Sequence, residues 1–116
     1  MLFRSVLKDM RKRRAGNLSG GQQQQLAIAR ALASEPKVLL LDEPTEGIQP
    51  SIIREMARTL RRIRDERGLS ILVSEQVLSF ALDVADRVVV IENGELVHEA
   101  DRASANNDTI SAFLSV

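Results

Sequence analysis

The stretch that decides the fold reads LSGGQQQQLAIARALASEPKVLLLDEP and covers residues 18–44. Its first half predicts a helix over about 20–34, because Ser19 followed three residues later by Gln22 fits a capping box and the residues that follow favour helix. Its second half contains the apolar run VLLL at 38–41, which predicts a strand that is covered on both faces. The stretch therefore predicts a helix that leads into a buried strand, and the strand ends in two acidic residues.

The remainder of the chain continues this alternation of helices and strands. We predict further helices over residues 2–13, 51–67, 77–84 and 109–116, and further strands over 69–74, 88–91 and 95–99. The dipeptide Asn93-Gly94 separates the last two strands and is a strong hairpin signal. Apolar strands that alternate with helices predict an α/β fold with a mainly parallel sheet. Because no repeat or Gly/Ser-rich linker divides the sequence, we expect residues 1–116 to form a single unit.

The composition excludes several classes of protein. The chain has 116 residues, which suffice for one small domain. It carries 16 Lys and Arg against 16 Asp and Glu, so a net charge of zero gives no global attraction to nucleic acid or an anionic surface. It has no Cys, which excludes a disulfide framework and a thiolate metal site. Since no apolar run approaches the roughly 20 residues that span a bilayer, we expect no direct membrane insertion.

Two basic segments each allow two interpretations. The first, residues 1–14, lacks the apolar core of a secretory signal, and a surface helix with a basic end is favoured over a transit peptide. The second is the face of the 51–67 helix that carries several arginines, among them Arg54, Arg58, Arg61 and Arg62. A solvated helix face is the favoured interpretation of this second segment, and a contact with nucleic acid is the alternative.

The first motif that can carry chemistry is the turn before the first helix. Ser19, Gly20 and Gly21 open this helix, and glycine lets an anion approach the backbone closely. Unpaired N–H groups and the positive end of the helix dipole favour a phosphate at such a position. Taken alone, the pattern is equally compatible with an ordinary helix start and a flexible turn.

The second motif is the acidic pair Asp42 and Glu43. An apolar strand that ends in two acids places both carboxylates at the edge of the sheet where α/β folds bind ligands. In nucleotide hydrolysis one carboxylate holds Mg²⁺, usually through water, and the next can polarise the attacking water as a general base. Taken alone, such a pair is also typical of a helix or turn cap.

In combination these motifs resemble the ATP-binding subunits of ABC transporters. LSGGQ resembles the signature motif of that family, and VLLLDEP resembles its Walker B motif. TEGIQP lies at the position of the D-loop, ILVSEQ resembles the segment that carries the switch residue, and ADRVVVIENGELV resembles the C-terminal hairpin. The resemblance covers residues 2–97 and implies a partial P-loop NTPase sheet with flanking helices. DEPTEGIQPSI and QQQQLAIARALA resemble the urea uptake subunit within the branched-chain amino-acid transporter group.

The resemblance implies that the signature residues bind a nucleotide which another subunit holds. Ser19, Gly20 and Gly21 would contact the γ-phosphate of an ATP molecule in the opposing protomer, and Gln22 would lie beside them. The resemblance therefore makes these four residues part of a site that only a dimer completes.

The resemblance also implies roles for residues that follow the strands. Asp42 would support Mg²⁺, and Glu43 would be the general base for attack by water. Gln49 occupies the D-loop position where many relatives have Asp. Gln76 occupies the switch position where most relatives have His, and its amide can hydrogen-bond a phosphate but cannot take up charge. His98 follows in the returning hairpin strand, where we expect a surface residue.

The sequence contains no G-x-x-x-x-G-K-[ST] stretch, which forms the phosphate cradle of this family. The chain therefore resembles the C-terminal half of such a subunit. In the family, the cradle strand lies between the strands predicted at 69–74 and 88–91, so we expect a gap or unpaired edges in the sheet. Because hydrolysis depends on the cradle, we expect the chain alone neither to bind nor to hydrolyse Mg-ATP. Unpaired edges also predict poor stability or self-association.

The favoured functional hypothesis is a part of the ATP-hydrolysing subunit of an ABC importer for urea or branched-chain amino acids. It implies ATP and Mg²⁺ as cofactors once a P-loop is supplied. Its partners would be a second ATP-binding subunit in a homo- or heterodimer, membrane permease subunits and, indirectly, a solute-binding protein, with no nucleic acid. The location would be cytoplasmic, at the inner face of the cell membrane. The alternative is a short non-catalytic module that docks on permease or partner ATPase subunits. A chromosome-maintenance ATPase is disfavoured because coiled-coil heptads are missing.

Overall fold

In a computed structural model, the described residues are Lys8, 11–14, Gly16 and 19–114. The helix predicted over 2–13 lies largely outside these residues. The described elements, in chain order, are α1 Gly20–Ala33, β1 Val38–Asp42, α2 Pro50–Arg67, β2 Ser70–Ser74, α3 Leu78–Val84, β3 Arg87–Glu92, β4 Glu95–Asp101 and α4 Asn107–Leu114. Each of these elements matches a predicted helix or strand, and the bounds differ by at most two residues. The α/β class is therefore confirmed.

The chain divides into two compact units, residues 1–74 and 75–116. The first contains β1 and β2 as a parallel pair in which Asp42 lies opposite Ser74, with α2 as the crossover between them. The second contains β3 and β4 as an antiparallel pair. Within the described residues, the strands form two separate two-stranded sheets. The prediction that residues 1–116 act as a single unit stays a prediction.

The core of the first unit is built on the apolar face of α2. The helix begins with Pro50 at its first turn and ends at Gly68, which adopts the left-handed φ of 63° that terminates helices. Its buried side chains are Met56, Ala57, Thr59, Leu60 and Ile63. The Arg67 guanidinium donates to the Leu32 carbonyl oxygen at 3.4 Å, which joins the carboxyl ends of α1 and α2.

The β1–β2 sheet is covered on one face only. Leu39 is 4% exposed, whereas Val38, Leu40 and Leu72 are 54%, 70% and 66% exposed. Because successive side chains of a strand point to opposite faces, these three exposed residues share the uncovered face. The prediction that these strands are covered on both faces is therefore wrong. An apolar run alone does not show whether a second layer packs against the sheet.

The second unit is a hairpin packed with two short helices. Asn93 and Gly94 have φ values of 49° and 81°, and two positive values are what a type I′ turn requires. The hairpin predicted from Asn93-Gly94 is thus confirmed. Helix α4 contacts α3 and β4, and the His98 and Phe113 rings stack at a centroid distance of 4.8 Å. His98 is half-buried by this packing, although the sequence predicted a surface residue.

Candidate functional site

The amino end of α1 is fixed by the predicted capping box. The Gln22 N–H donates to Ser19 Oγ at 3.2 Å, and the Ser19 N–H donates to Gln22 Oε1 at 3.0 Å. The Gln23 N–H donates to the Ser19 carbonyl oxygen at 2.8 Å. No described residue accepts a hydrogen bond from the N–H groups of Gly20 and Gly21. These two donors at the positive end of the helix dipole are suited to bind an anion.

The two glycines lie against the loop before α2 and the start of that helix. A Cβ added to Gly20 would lie 3.8 Å from the Gly47 carbonyl oxygen, and one added to Gly21 would lie 3.4 Å from Ile52 Cγ2. Neither glycine has a positive φ. The local backbone therefore does not require glycine at either position. Two other physical reasons favour small residues here: the close packing of Gly21 against Ile52, and space for a group that approaches the N–H donors.

The acidic pair lies at the carboxyl end of the parallel sheet. Asp42 is exposed at the end of β1, and Glu43 follows it half-buried, with a left-handed φ of 43°. The Glu43 N–H donates to the Ser74 carbonyl oxygen at 2.7 Å, which anchors this residue to the end of β2. The carboxyl edge of a parallel sheet is where α/β folds bind ligands. Ser74 was not singled out from the sequence, because its backbone role depends on pairing between distant strands.

The loop between β1 and α2 is held by short turns and buried residues. Pro44 and Thr45 are buried, and the Ile48 N–H donates to the Thr45 carbonyl oxygen at 3.1 Å. Gln49 follows at the N-cap of α2, where it is exposed and makes no side-chain capping bond. Its amide group is therefore not committed to stabilising the helix.

Gln76 lies just beyond β2, in the second unit. Its N–H and that of Val77 donate to Glu75 Oε1 at 2.9 and 3.1 Å. The Glu75 carboxylate thus fixes the turn into α3, and the Gln76 side chain is exposed. Sequence analysis did not single out Glu75, although an acid before a helix is a recognisable signal for such a turn.

Comparison with known proteins shows which family contains a similar sequence. The family model described as "ABC transporter" matches residues 1–46. The high-affinity branched-chain amino acid transport ATP-binding protein BraG of Pseudomonas aeruginosa is 45% identical over 105 residues, which are 90% of this chain and 45% of that protein. The chain belongs to the ABC transporter ATP-binding family. Within this ABC chain, the capped glycines lie in the segment that resembles the signature motif, and the acidic pair ends the strand that resembles the Walker B motif.

Two further proteins define the extent of the similarity. The L-cystine transport system ATP-binding protein TcyN of Escherichia coli is 45% identical over 82 residues, which are 71% of this ABC chain and 32% of that protein. A solved dimeric ATP-binding cassette in a post-hydrolysis state, bound to ADP and Pi, is 32% identical with a TM-score of 0.68, over 75% of this chain and 37% of that one. The chain spans less than half the length of these relatives.

The structure brings most of the predicted site residues of this ABC chain into one unit. The signature residues, the acidic pair and Gln49 all belong to residues 1–74, whereas Gln76 belongs to residues 75–116. No group of three or more potential metal ligands occurs among the described residues. Mg²⁺ is usually held by one or two carboxylates together with water and substrate phosphates, so the acidic pair fits a Mg²⁺ ion that a nucleotide accompanies. Among the described helices, none is both long and apolar enough to cross a membrane.

Proposed function

We propose that this ABC chain forms part of the ATP-binding subunit that powers an ABC importer. The observation that supports this proposal is that the first unit contains two separate edges, each of which is suited to contact a nucleotide. One is the capped amino end of α1, where the Gly20 and Gly21 N–H groups have no acceptor among the described residues. The other is the carboxyl edge of β1, where Glu43 is anchored to β2. Gly20 and Gly21 lie against the loop and the helix start that follow the acidic pair, so packed residues join the two edges.

At the signature edge, the residues act on an ATP molecule that the opposing subunit holds. The N–H groups of Gly20 and Gly21 donate to the γ-phosphate, and the exposed Ser19 and neighbouring Gln22 border the same oxygen atoms. The capping box keeps the first helical turn formed before the nucleotide arrives. This saves the entropic cost of ordering the turn during binding.

At the Walker B edge, the residues act on the ATP molecule of the chain's own subunit. Asp42 would hold Mg²⁺, which when bound would supply charge neutralisation for the phosphates. Glu43 accepts the proton of the attacking water, and its N–H bond to the Ser74 carbonyl oxygen holds its backbone at the end of β2. Gln49 occupies the D-loop position in the first unit. Gln76, in the second unit, occupies the switch position, and its amide is able to donate a hydrogen bond to a phosphate.

The partners and the transported solute follow from the relatives. We propose a second ATP-binding subunit and membrane permease subunits as partners, with a solute-binding protein that acts through the permease, at the cytoplasmic face of the membrane. BraG is named for branched-chain amino acid transport, and this name supports branched-chain amino acids as the solute. Urea is the alternative solute, which the resemblance of two sequence motifs supports. No residue singled out here reads the solute directly.

A chimera tests this proposal. We would replace the region of BraG that matches this chain with the chain itself and measure Mg-ATP hydrolysis. Glu43→Gln should lower kcat by about 100-fold or more, because a positioned general base contributes about 10²–10⁴-fold, while ATP binding persists. Glu46→Gln is the matched control, since Glu46 is an exposed carboxylate three residues away. Undiminished hydrolysis by Glu43→Gln would contradict the proposed role.

A non-catalytic docking module is the second candidate. It is favoured by one observation, the absence of a G-x-x-x-x-G-K-[ST] stretch from the 116 residues. For the same reason, we propose that the chain by itself does not bind Mg-ATP. Calorimetry with the pure chain checks this, and saturable binding at micromolar ATP would overturn it. An inactive chimera together with tight binding of the chain to permease subunits would favour the second candidate.

A further inference from the structure

The chain has a net charge of zero, but its two units carry opposite net charges. Residues 1–74 carry 14 Lys and Arg against 8 Asp and Glu, whereas residues 75–116 carry 2 against 8. The first unit therefore has a net charge of +6, and the second has a net charge of −6. Opposed charges on two surfaces of one chain favour association in which the basic surface of one copy meets the acidic surface of another.

The basic surface with the best defined geometry is the arginine face of α2, formed by Arg54, Arg58 and Arg61. Arg54 and Arg58 are exposed, and no described carboxylate forms an ion pair with any of the three. By contrast, Arg62 on the same helix is paired with Glu66 at 2.8 Å. Like charges four residues apart on a helix repel each other. A partner that brings negative charge to this face relieves that repulsion.

The acidic surface with the best defined geometry is the hairpin tip, formed by Glu92 and Glu95. These residues are exposed and lie directly opposite each other across the turn between β3 and β4. Neither has an ion-pair partner among the described residues, whereas Glu99 farther along β4 is paired with Arg87. Like charges directly opposite on paired strands are destabilising. The two carboxylates of the hairpin tip therefore repel each other, as the guanidinium groups of the arginine face do. A partner of opposite charge would relieve the repulsion on either surface.

The two surfaces also match in spacing. Arg54 and Arg58 are separated by a helical rise of about 6 Å, from 1.5 Å per residue. Directly opposed residues of an antiparallel pair have Cα atoms about 4.5–5.5 Å apart, which sets the separation of Glu92 and Glu95. Two guanidinium groups can therefore each meet one carboxylate in a single contact.

We propose that the hairpin tip of one copy of this chain docks on the arginine face of a second copy. The contact is electrostatic and rapid to form. The copy that contributes its hairpin tip still has an unused arginine face, and the other copy still has an unused hairpin tip. The association is therefore head-to-tail, and it closes into a two-fold dimer only if both contacts form at once. It is distinct from the proposed nucleotide-dependent pairing, since neither surface contains a signature or Walker B residue.

Charge reversal tests the proposal with the full chain. Sedimentation velocity should show self-association at about 20 mM NaCl and a rise of about tenfold or more in apparent Kd at about 500 mM NaCl, where the Debye length is only a few Å. The double variants Arg54→Glu with Arg58→Glu, and Glu92→Lys with Glu95→Lys, should each abolish self-association. An equimolar mixture of the two variants should associate, because the reversed surfaces complement each other.

Matched single variants sharpen the test. Arg58→Gln should weaken association, whereas Arg62→Gln should not, because Arg62 is already neutralised by Glu66. Far-UV circular dichroism verifies that each variant keeps the fold. Association that persists at 500 mM NaCl and ignores both reversals would overturn the proposal and would indicate apolar contacts instead. A monomer at both salt concentrations, or reversed variants that fail to associate when mixed, would also overturn it.

Discussion

The left-handed backbone of Glu43 predicts a conflict between stability and function. A non-glycine residue with φ near 43° places its Cβ close to the following carbonyl oxygen, which costs about 1–2 kcal/mol. Glycine removes this strain, but it loses about 0.5–1 kcal/mol more backbone entropy on folding. The difference predicts that Glu43→Gly raises the free energy of unfolding by up to about 1.5 kcal/mol. The N–H bond to Ser74 is retained, because glycine keeps its backbone donor.

Urea unfolding followed by far-UV circular dichroism measures this change, since the chain has no Trp or Tyr for fluorescence. The midpoint should rise while the slope stays constant. In the chimera, the same substitution should abolish hydrolysis, because the proposed general base is removed. A substitution that raises stability and abolishes activity is expected where strain is held at a functional site.

Two variants separate backbone strain from side-chain chemistry. Glu35 has a φ of 52° just after α1, so Glu35→Gly should give a similar gain in stability with hydrolysis unchanged. Glu43→Gln keeps the backbone strain, so its stability should stay within about 0.5 kcal/mol of the parent while hydrolysis falls. If Glu43→Gly instead lowers stability by more than about 1 kcal/mol, the Glu43 side chain stabilises the fold and the strain argument is refuted.

Three further predictions concern the helix cap, the uncovered sheet face and an exposed carboxylate. Ser19→Ala should cost about 1 kcal/mol in thermal unfolding because the Gln22 N–H loses the Ser19 hydroxyl as its acceptor, whereas Ser51→Ala, at an exposed position of α2, should cost little. Leu40→Thr with Leu72→Thr should change the free energy of unfolding little, since both residues are mostly exposed, whereas Leu39→Thr should cost about 2–4 kcal/mol because a buried hydroxyl is left in the core. Hydrogen bonds from the Ser104 hydroxyl and N–H lower the pKa of Asp101. The stability that this lowered pKa provides is present above the ordinary pKa of Asp and is lost as the pH falls through the lowered value. Ser104→Ala should raise the pKa of Asp101 in an NMR titration, and an unchanged pKa would exclude the Ser104 hydroxyl as a cause.

The sequence by itself determined the elements whose signals are local. Ser19 and Gln22 interact across three residues, and Asn93 and Gly94 set the hairpin turn with their own backbone angles. Such contacts need no distant partner, so the capping box, the hairpin and the helix and strand bounds could all be predicted. The motif residues were found in the same way, because their order along the chain carries the family resemblance.

Only the tertiary structure decided which side chains are covered and how the acidic edge is anchored. The exposure of Leu40 and Leu72 depends on which layers pack against the sheet, and an apolar run does not encode this. The strain at Glu43 and its bond to Ser74 arise because β1 and β2, far apart in sequence, end at the same edge. The same is true of the half-buried His98, whose stacking partner Phe113 belongs to a helix that follows the hairpin. These features depend on long-range pairing and packing, and a local sequence pattern does not specify them.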